Sequence, residues 1–144
     1  MYLRQARLTL ALLAEVYGQV GEIEAGLDTL TAALDLVDTT GECFWAPEMH
    51  RLQGELGLVL SPEQQGAAVT AFHQALTLAR HQEAKSLELR AAMSLSRLWQ
   101  QQGKQAEARA LLAPIYTWFT EGFDTADLQE ARALLEELGE GKTL

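Results

Sequence analysis

Leu30-Thr31-Ala32-Ala33-Leu34, Phe72-His73-Gln74-Ala75-Leu76 and Leu112-Ala113-Pro114-Ile115-Tyr116 are three versions of one phrase, and their spacing decides how the chain folds. Each forms the second half of an apolar helix and follows a Gly- or Ala-rich helix start by a similar distance. Ala33, Ala75 and Ile115 stand 42 and then 40 residues apart, a period that marks a repeated helical hairpin rather than a globule folded once.

Upstream of the first phrase, Leu8, Leu12, Leu13, Val16, Tyr17 and Val20 have the spacing of a buried helix face that ends at Gly21, which predicts a helix over 2–20. Its partner is expected over 22–38, with Ile23, Leu27, Leu30, Ala33, Leu34 and Val37 on one face and Gly41 closing the hairpin. So short a connection requires the two to run antiparallel. A third helix starts at Ala46-Pro47-Glu48, where proline suits the first turn and Glu48 suits the positive end of the helix dipole, and continues through Met49, Leu52, Leu56 and Val59. Ser61-Pro62-Glu63-Gln64 reads as N-cap, N1 proline and N3 glutamine, so the fourth helix is expected to begin there and run to Gln82. The fifth spans 85–102, and the sixth 104–120 with a kink expected at Pro114. Asp124-Thr125-Ala126-Asp127 caps a seventh, to Leu138, which covers the last apolar edge.

Composition agrees with a helical, well-cored protein. Of 144 residues 48% are apolar, Asn is absent, Pro occurs three times, and every apolar run is shorter than a membrane span. The start, Met1-Tyr2-Leu3-Arg4-Gln5, lacks the apolar stretch of a signal peptide, and the single Cys43 has no intrachain partner; both fit a reducing, cytoplasmic compartment. Eleven basic residues against 20 acidic ones give a net charge of -9 spread along the chain, a field that repels phosphate backbones and makes nucleic acid an unsuitable partner.

The accumulated positions resemble the tetratricopeptide repeat (TPR). Repeat one supplies Leu13, Ala14, Tyr17, Gly21, Gly26, Leu30 and Ala33. Repeat two supplies Gly54, Ala68, Phe72 and Ala75, with about two extra residues at the Ser61-Pro62 turn, and repeat three Leu95, Ser96, Trp99, Gly103, Ala108, Leu112 and Ile115. The period of 40 to 42 exceeds the usual 34 of that family, so the resemblance is to a divergent, long-helix version. It implies an all-α, right-handed superhelix of three hairpins (2–41, 43–82 and 85–121) with a capping helix over 125–138 and a tail over 139–144. Longer phrases, Glu48 to Leu56, Glu88 to Leu95 and Tyr116 to Leu128 with its Gly122-Phe123-Asp124-Thr125, resemble the C-terminal TPR region of large bacterial signalling proteins. There a nucleotidyl cyclase or winged-helix domain precedes a STAND-type NTPase module. No cyclase or NTPase motif stands in this chain, so only a regulatory role is implied.

Catalytic and metal chemistry find little support. Gly141-Lys142-Thr143 echoes the end of a phosphate-binding loop, but Glu136, inside an expected helix, stands where that loop needs glycine. His73 and His81 are eight residues apart, no His or Cys pair has i, i+4 spacing, and a Cys43–His50 nucleophile would lack an orienting group and an oxyanion hole. No cofactor, metal or catalytic residue is therefore expected.

The resemblance implies that the first helix of each hairpin lines a concave groove. Mapped onto this chain, those slots hold Leu8, Ala11, Glu15, Glu48, Arg51, Glu55, Arg90, Met93, Arg97, Gln100 and Gln101. Glu15, Glu48, Arg51, Glu55, Arg90, Met93 and Arg97 are the candidate partner-binding residues. Arg51, Arg90 and Arg97 either hold an anionic group of a partner by forked hydrogen bonds or pair with Glu48, Glu55 and Glu88 as ordinary ion pairs; the second is the simpler reading. The expected function is a non-enzymatic protein or peptide interaction module, with an inducer-sensing groove as the alternative. Trp45, Trp118, Phe119 and Phe123 fall near hairpin ends, and the outer side of helices one and two is an apolar surface expected to pair with another copy.

Overall fold

The computed structural model describes residues 19, 21–40 and 46–140. Among the described residues six helices follow one another: α1 (Ile23–Thr40), α2 (Ala46–Leu60), α3 (Gln65–His81), α4 (Lys85–Gln101), α5 (Gln105–Trp118) and α6 (Ala126–Glu140). The described residues include no strand. The helix expected over 2–20 falls almost wholly outside them, as do Glu15, Gly41, Cys43, Trp45 and the Gly141-Lys142-Thr143 tail. With the first helix goes most of the surface expected to self-associate.

Each helix packs on the next in sequence, while α2 also packs on α4 and α4 on α6. The three therefore make one continuous layer against which α3 and α5 rest. The main core runs through α3 to α6 and is built from Phe72, Leu76, Leu89, Leu95, Leu112 and Leu138, each no more than 2% exposed. A smaller core joins α1 to α2 through Leu30, Ala33, Met49, Leu52 and Leu56. Burying a side chain such as Phe72 is worth about 2–3 kcal/mol relative to leaving it in water.

Small residues set how closely each hairpin closes. A Cβ placed on Gly54 would stand 2.6 Å from Phe72 Cε1, so glycine is what lets the Phe72 ring approach α2 this closely. In the next hairpin the matching slot is Ser96, fully buried, whose hydroxyl donates to the Ala108 carbonyl at 3.2 Å.

The α2–α3 boundary corrects the expected capping box. Ser61 N–H still donates to the Gly57 carbonyl at 2.8 Å, and Gln64 N–H donates to the Ser61 carbonyl at 2.9 Å, so Ser61-Pro62-Glu63-Gln64 is a turn with proline at its second position. Helix α3 begins only at Gln65, and the side chain of Gln64, which precedes it, makes no capping hydrogen bond. Ser61 completes the turn that ends α2 and is not in place to open α3. Downstream, Thr125 Oγ1 does accept from Leu128 N–H at 3.4 Å at the start of α6. Helix α5 runs unbroken through Pro114, and α6 extends to Glu140, into the stretch expected as tail.

The turns after α3 and α4 are twins. Gln82, Glu83 and Ala84 N–H groups donate to the carbonyls of Leu78, Arg80 and Ala79; Gln102, Gly103 and Lys104 donate to Leu98, Gln100 and Trp99, the same pattern 20 residues on. Both close by a Schellman motif, whose left-handed residue is Gly103 at φ 80° in one and Glu83 at φ 57° in the other. For a residue with a Cβ that conformation costs about 1 kcal/mol.

Candidate interaction face

The layer of α2, α4 and α6 carries the candidate residues. Helical spacing sets them in line: Glu48 and Arg51 are three apart on α2, and Arg90 and Arg97 seven apart on α4. On α6, Asp127, Glu130 and Glu137 share the stripe that faces α4, beside the buried Leu128, Ala131, Leu134 and Leu138.

A ladder of charged hydrogen bonds crosses these three helices. Arg51 donates through Nε to Glu48 Oε1 at 2.7 Å and through Nη2 to Oε2 at 2.9 Å, a bidentate grip, and reaches Ser94 Oγ on α4 at 3.3 Å. Arg90 lies between its neighbours, with Nη1 donating to Glu48 Oε2 at 2.6 Å and Nε to Asp127 Oδ2 at 2.9 Å. One guanidinium thus ties α2, α4 and α6 together. Farther along, Arg97 donates to Glu130 and the Gln100 amide to Glu137, both at 3.3 Å.

Glu48 is the buried centre of this ladder, only 5% exposed. Burial alone would push its carboxyl up, but the hydrogen bonds and charge of Arg51, together with Arg90, outweigh that and hold it below its ordinary value. Burial likewise works against the charged form of Arg51 and Arg90. Their carboxylate partners, Glu48 for Arg51 and Asp127 with Glu48 for Arg90, more than offset it and raise both.

The candidate residues therefore divide. Arg51, Arg90, Arg97, Glu48 and Glu55 come together on one face, Glu55 lying 4.0 Å from Arg51. Met93, expected on the groove, is 3% exposed and belongs to the core, because its side chain turns toward the residues that α4 buries. Glu88, expected to pair with these arginines, instead holds Arg80 at 3.0 Å and Lys85 at 3.2 Å at the other side of the helix start. The acceptors that spacing alone did not bring forward are Asp127, Glu130 and Glu137. Their acidic spacing along the polar side of the capping helix was the available signal.

On this face three arginines, each bonded to a carboxylate of the chain, stand against Glu48, Glu55, Asp127, Glu130 and Glu137. Between α4 and α6 lies a cleft of about 320 Å3, lined by Arg97, Gln100, Glu130, Leu134 and Glu137 among others. None of the described helices is long and apolar enough to cross a membrane. Among the described residues, no three His, Cys, Asp or Glu side chains gather as metal ligands would. Compared with models of known families and with curated proteins, the chain matches none of them.

Proposed function

We propose that this chain is a non-catalytic interaction module of TPR-like hairpins, wound as a right-handed superhelix, that receives a protein or peptide on its α2–α4–α6 face. In this reading it is the C-terminal regulatory part of a larger bacterial signalling ATPase, cyclase or transcription regulator and works in the cytoplasm. The observation that carries the reading is the continuity of that face: the first helices of two successive hairpins and the capping helix joined edge to edge by the Glu48–Arg90–Asp127 ladder. Such a surface is stiff before a partner arrives, so little ordering entropy opposes docking.

Charge then sets the kind of partner. Arg51, Arg90 and Arg97 are engaged by the chain's own carboxylates, and an anionic partner would have to displace them. Glu130, 58% exposed, and Glu137 offer acceptors at the cleft, which suits a basic segment. The test is a peptide-display selection on the immobilised chain, followed by cross-link mapping. Basic peptides that cross-link to α4 and α6 and are lost in Glu130→Lys/Glu137→Lys are the expected result. Binders that ignore the double substitution, or a selection that yields none, would overturn the assignment.

A further inference from the structure

A second cleft, of about 530 Å3, opens at the α3–α4 turn beside the end of α5 and is lined by Arg80, Glu83, Lys85, Glu88 and Trp118. Its volume lies within the range of small-ligand sites, about 300–1,000 Å3. At its base Glu88, 4% exposed, accepts from Arg80 Nε at 3.0 Å through one oxygen and pairs with Lys85 at 3.2 Å through the other. Arg80 is thus held by its inner nitrogen, and among the described residues both of its terminal amino groups remain unengaged. Glu83, on the same cleft, takes part in no ion pair among the described residues.

Trp118 supplies the remaining wall. Its indole is 56% exposed, with Phe119 edge-on at 5.2 Å and 87° and the Lys85 ammonium over part of its ring system, 5.3 Å from a ring centroid. A half-exposed indole is a flat apolar platform beside paired charges. Glu83 adds a further indication, because it occupies the left-handed position that its twin turn gives to Gly103. The chain keeps a strained backbone there, and what it retains by doing so is a carboxylate on the cleft.

The geometry points to this cleft as a binding site for a small aromatic zwitterion of the α-amino acid class. The ligand carboxylate takes the free amino groups of Arg80, its ammonium takes Glu83, and its ring lies on Trp118. Arg80 and Lys85 balance Glu83 and Glu88, so the site matches a ligand with both charges and no net charge. A ligand with a single charge leaves one polar group of the cleft without its partner.

The test is calorimetric titration of the whole chain with L-phenylalanine to about 10 mM, beside 3-phenylpropionate and phenethylamine, which each lack one charge. Saturable binding of L-phenylalanine is expected, with both analogues weaker by at least about tenfold. Glu83→Gly should fold at least as stably by thermal melting yet bind L-phenylalanine at least about tenfold more weakly, and Trp118→Leu should abolish its preference over L-alanine. Absence of saturable heat, undiminished binding in Glu83→Gly, or equal binding of 3-phenylpropionate would each overturn the assignment.

Discussion

The hairpin α2–α3 and the hairpin α4–α5 follow one plan with different fillings. In the first, Gly54 admits the ring of Phe72; in the second, Ser96 in the matching slot ties itself to the Ala108 carbonyl. The first closes through a Ser61-Pro62 turn, the second through the Gly103 turn. Counting from Gly54 and Ser96, Glu48 and Arg90 occupy the same slot, 42 residues apart, and bond to each other at 2.6 Å. A repeated backbone fixes where a slot lies, and opposite charges in one slot of successive hairpins join them.

The largest effect should come from the fillings themselves. Phe72→Ala is expected to cost about 4 kcal/mol, more than Leu112→Ala, because it empties a larger fully buried site. Urea denaturation of the two variants measures the difference, and equal losses would mean that the hairpins are packed alike.

Next is the shared slot. Glu48→Gln removes the charge that two arginines hold, and since Arg90 is 40% exposed, water recovers part of the loss, leaving about 2 kcal/mol. The sign with pH follows from the lowered carboxyl. Its stabilisation is complete above the ordinary value of 4.5 and is lost as pH falls from there toward the lower folded value. Wild-type stability should therefore drop more steeply on acidification below 4.5 than that of Glu48→Gln. Parallel curves would show that the ladder does not join the hairpins energetically.

Gly54→Ala should cost about 1–2 kcal/mol by forcing Phe72 aside, and Phe72→Leu in the same chain should recover much of it. Ser96→Ala, which only removes a hydroxyl, is expected to cost about 1 kcal/mol or less. The turns offer a reciprocal exchange: Glu83→Gly should stabilise and Gly103→Glu destabilise, each by about 1 kcal/mol, or roughly 2–4 °C in melting temperature. At the bottom of the scale, Arg97→Gln breaks an exposed pair with Glu130 and should change stability by less than about 0.5 kcal/mol.

Much of the helical pattern could be read directly. Apolar spacing located α1, α2, α4, α5 and α6 within two residues, because an apolar stripe at period 3.6 matches one face of a helix and neither face of a strand. The Ser61-Pro62 boundary was misplaced since the same residues can cap a helix or make a turn, and Ser61 is already bonded back into α2. Arg51, Arg90 and Arg97 were legible as a cluster. Their partners on α6 were not, because Asp127 and Glu130 are 37 and 33 residues from the arginines they meet.

By itself, the sequence determined that this protein is helical and where most of its helices run, since local spacing and turn chemistry act within a few residues of chain. Only the tertiary structure decided that Arg90 bridges Glu48 and Asp127, that Met93 is core, and that Arg80, Glu83 and Trp118 share a cleft. Those outcomes depend on how one hairpin is laid on the next, and that placement is set by packing between side chains distant in sequence.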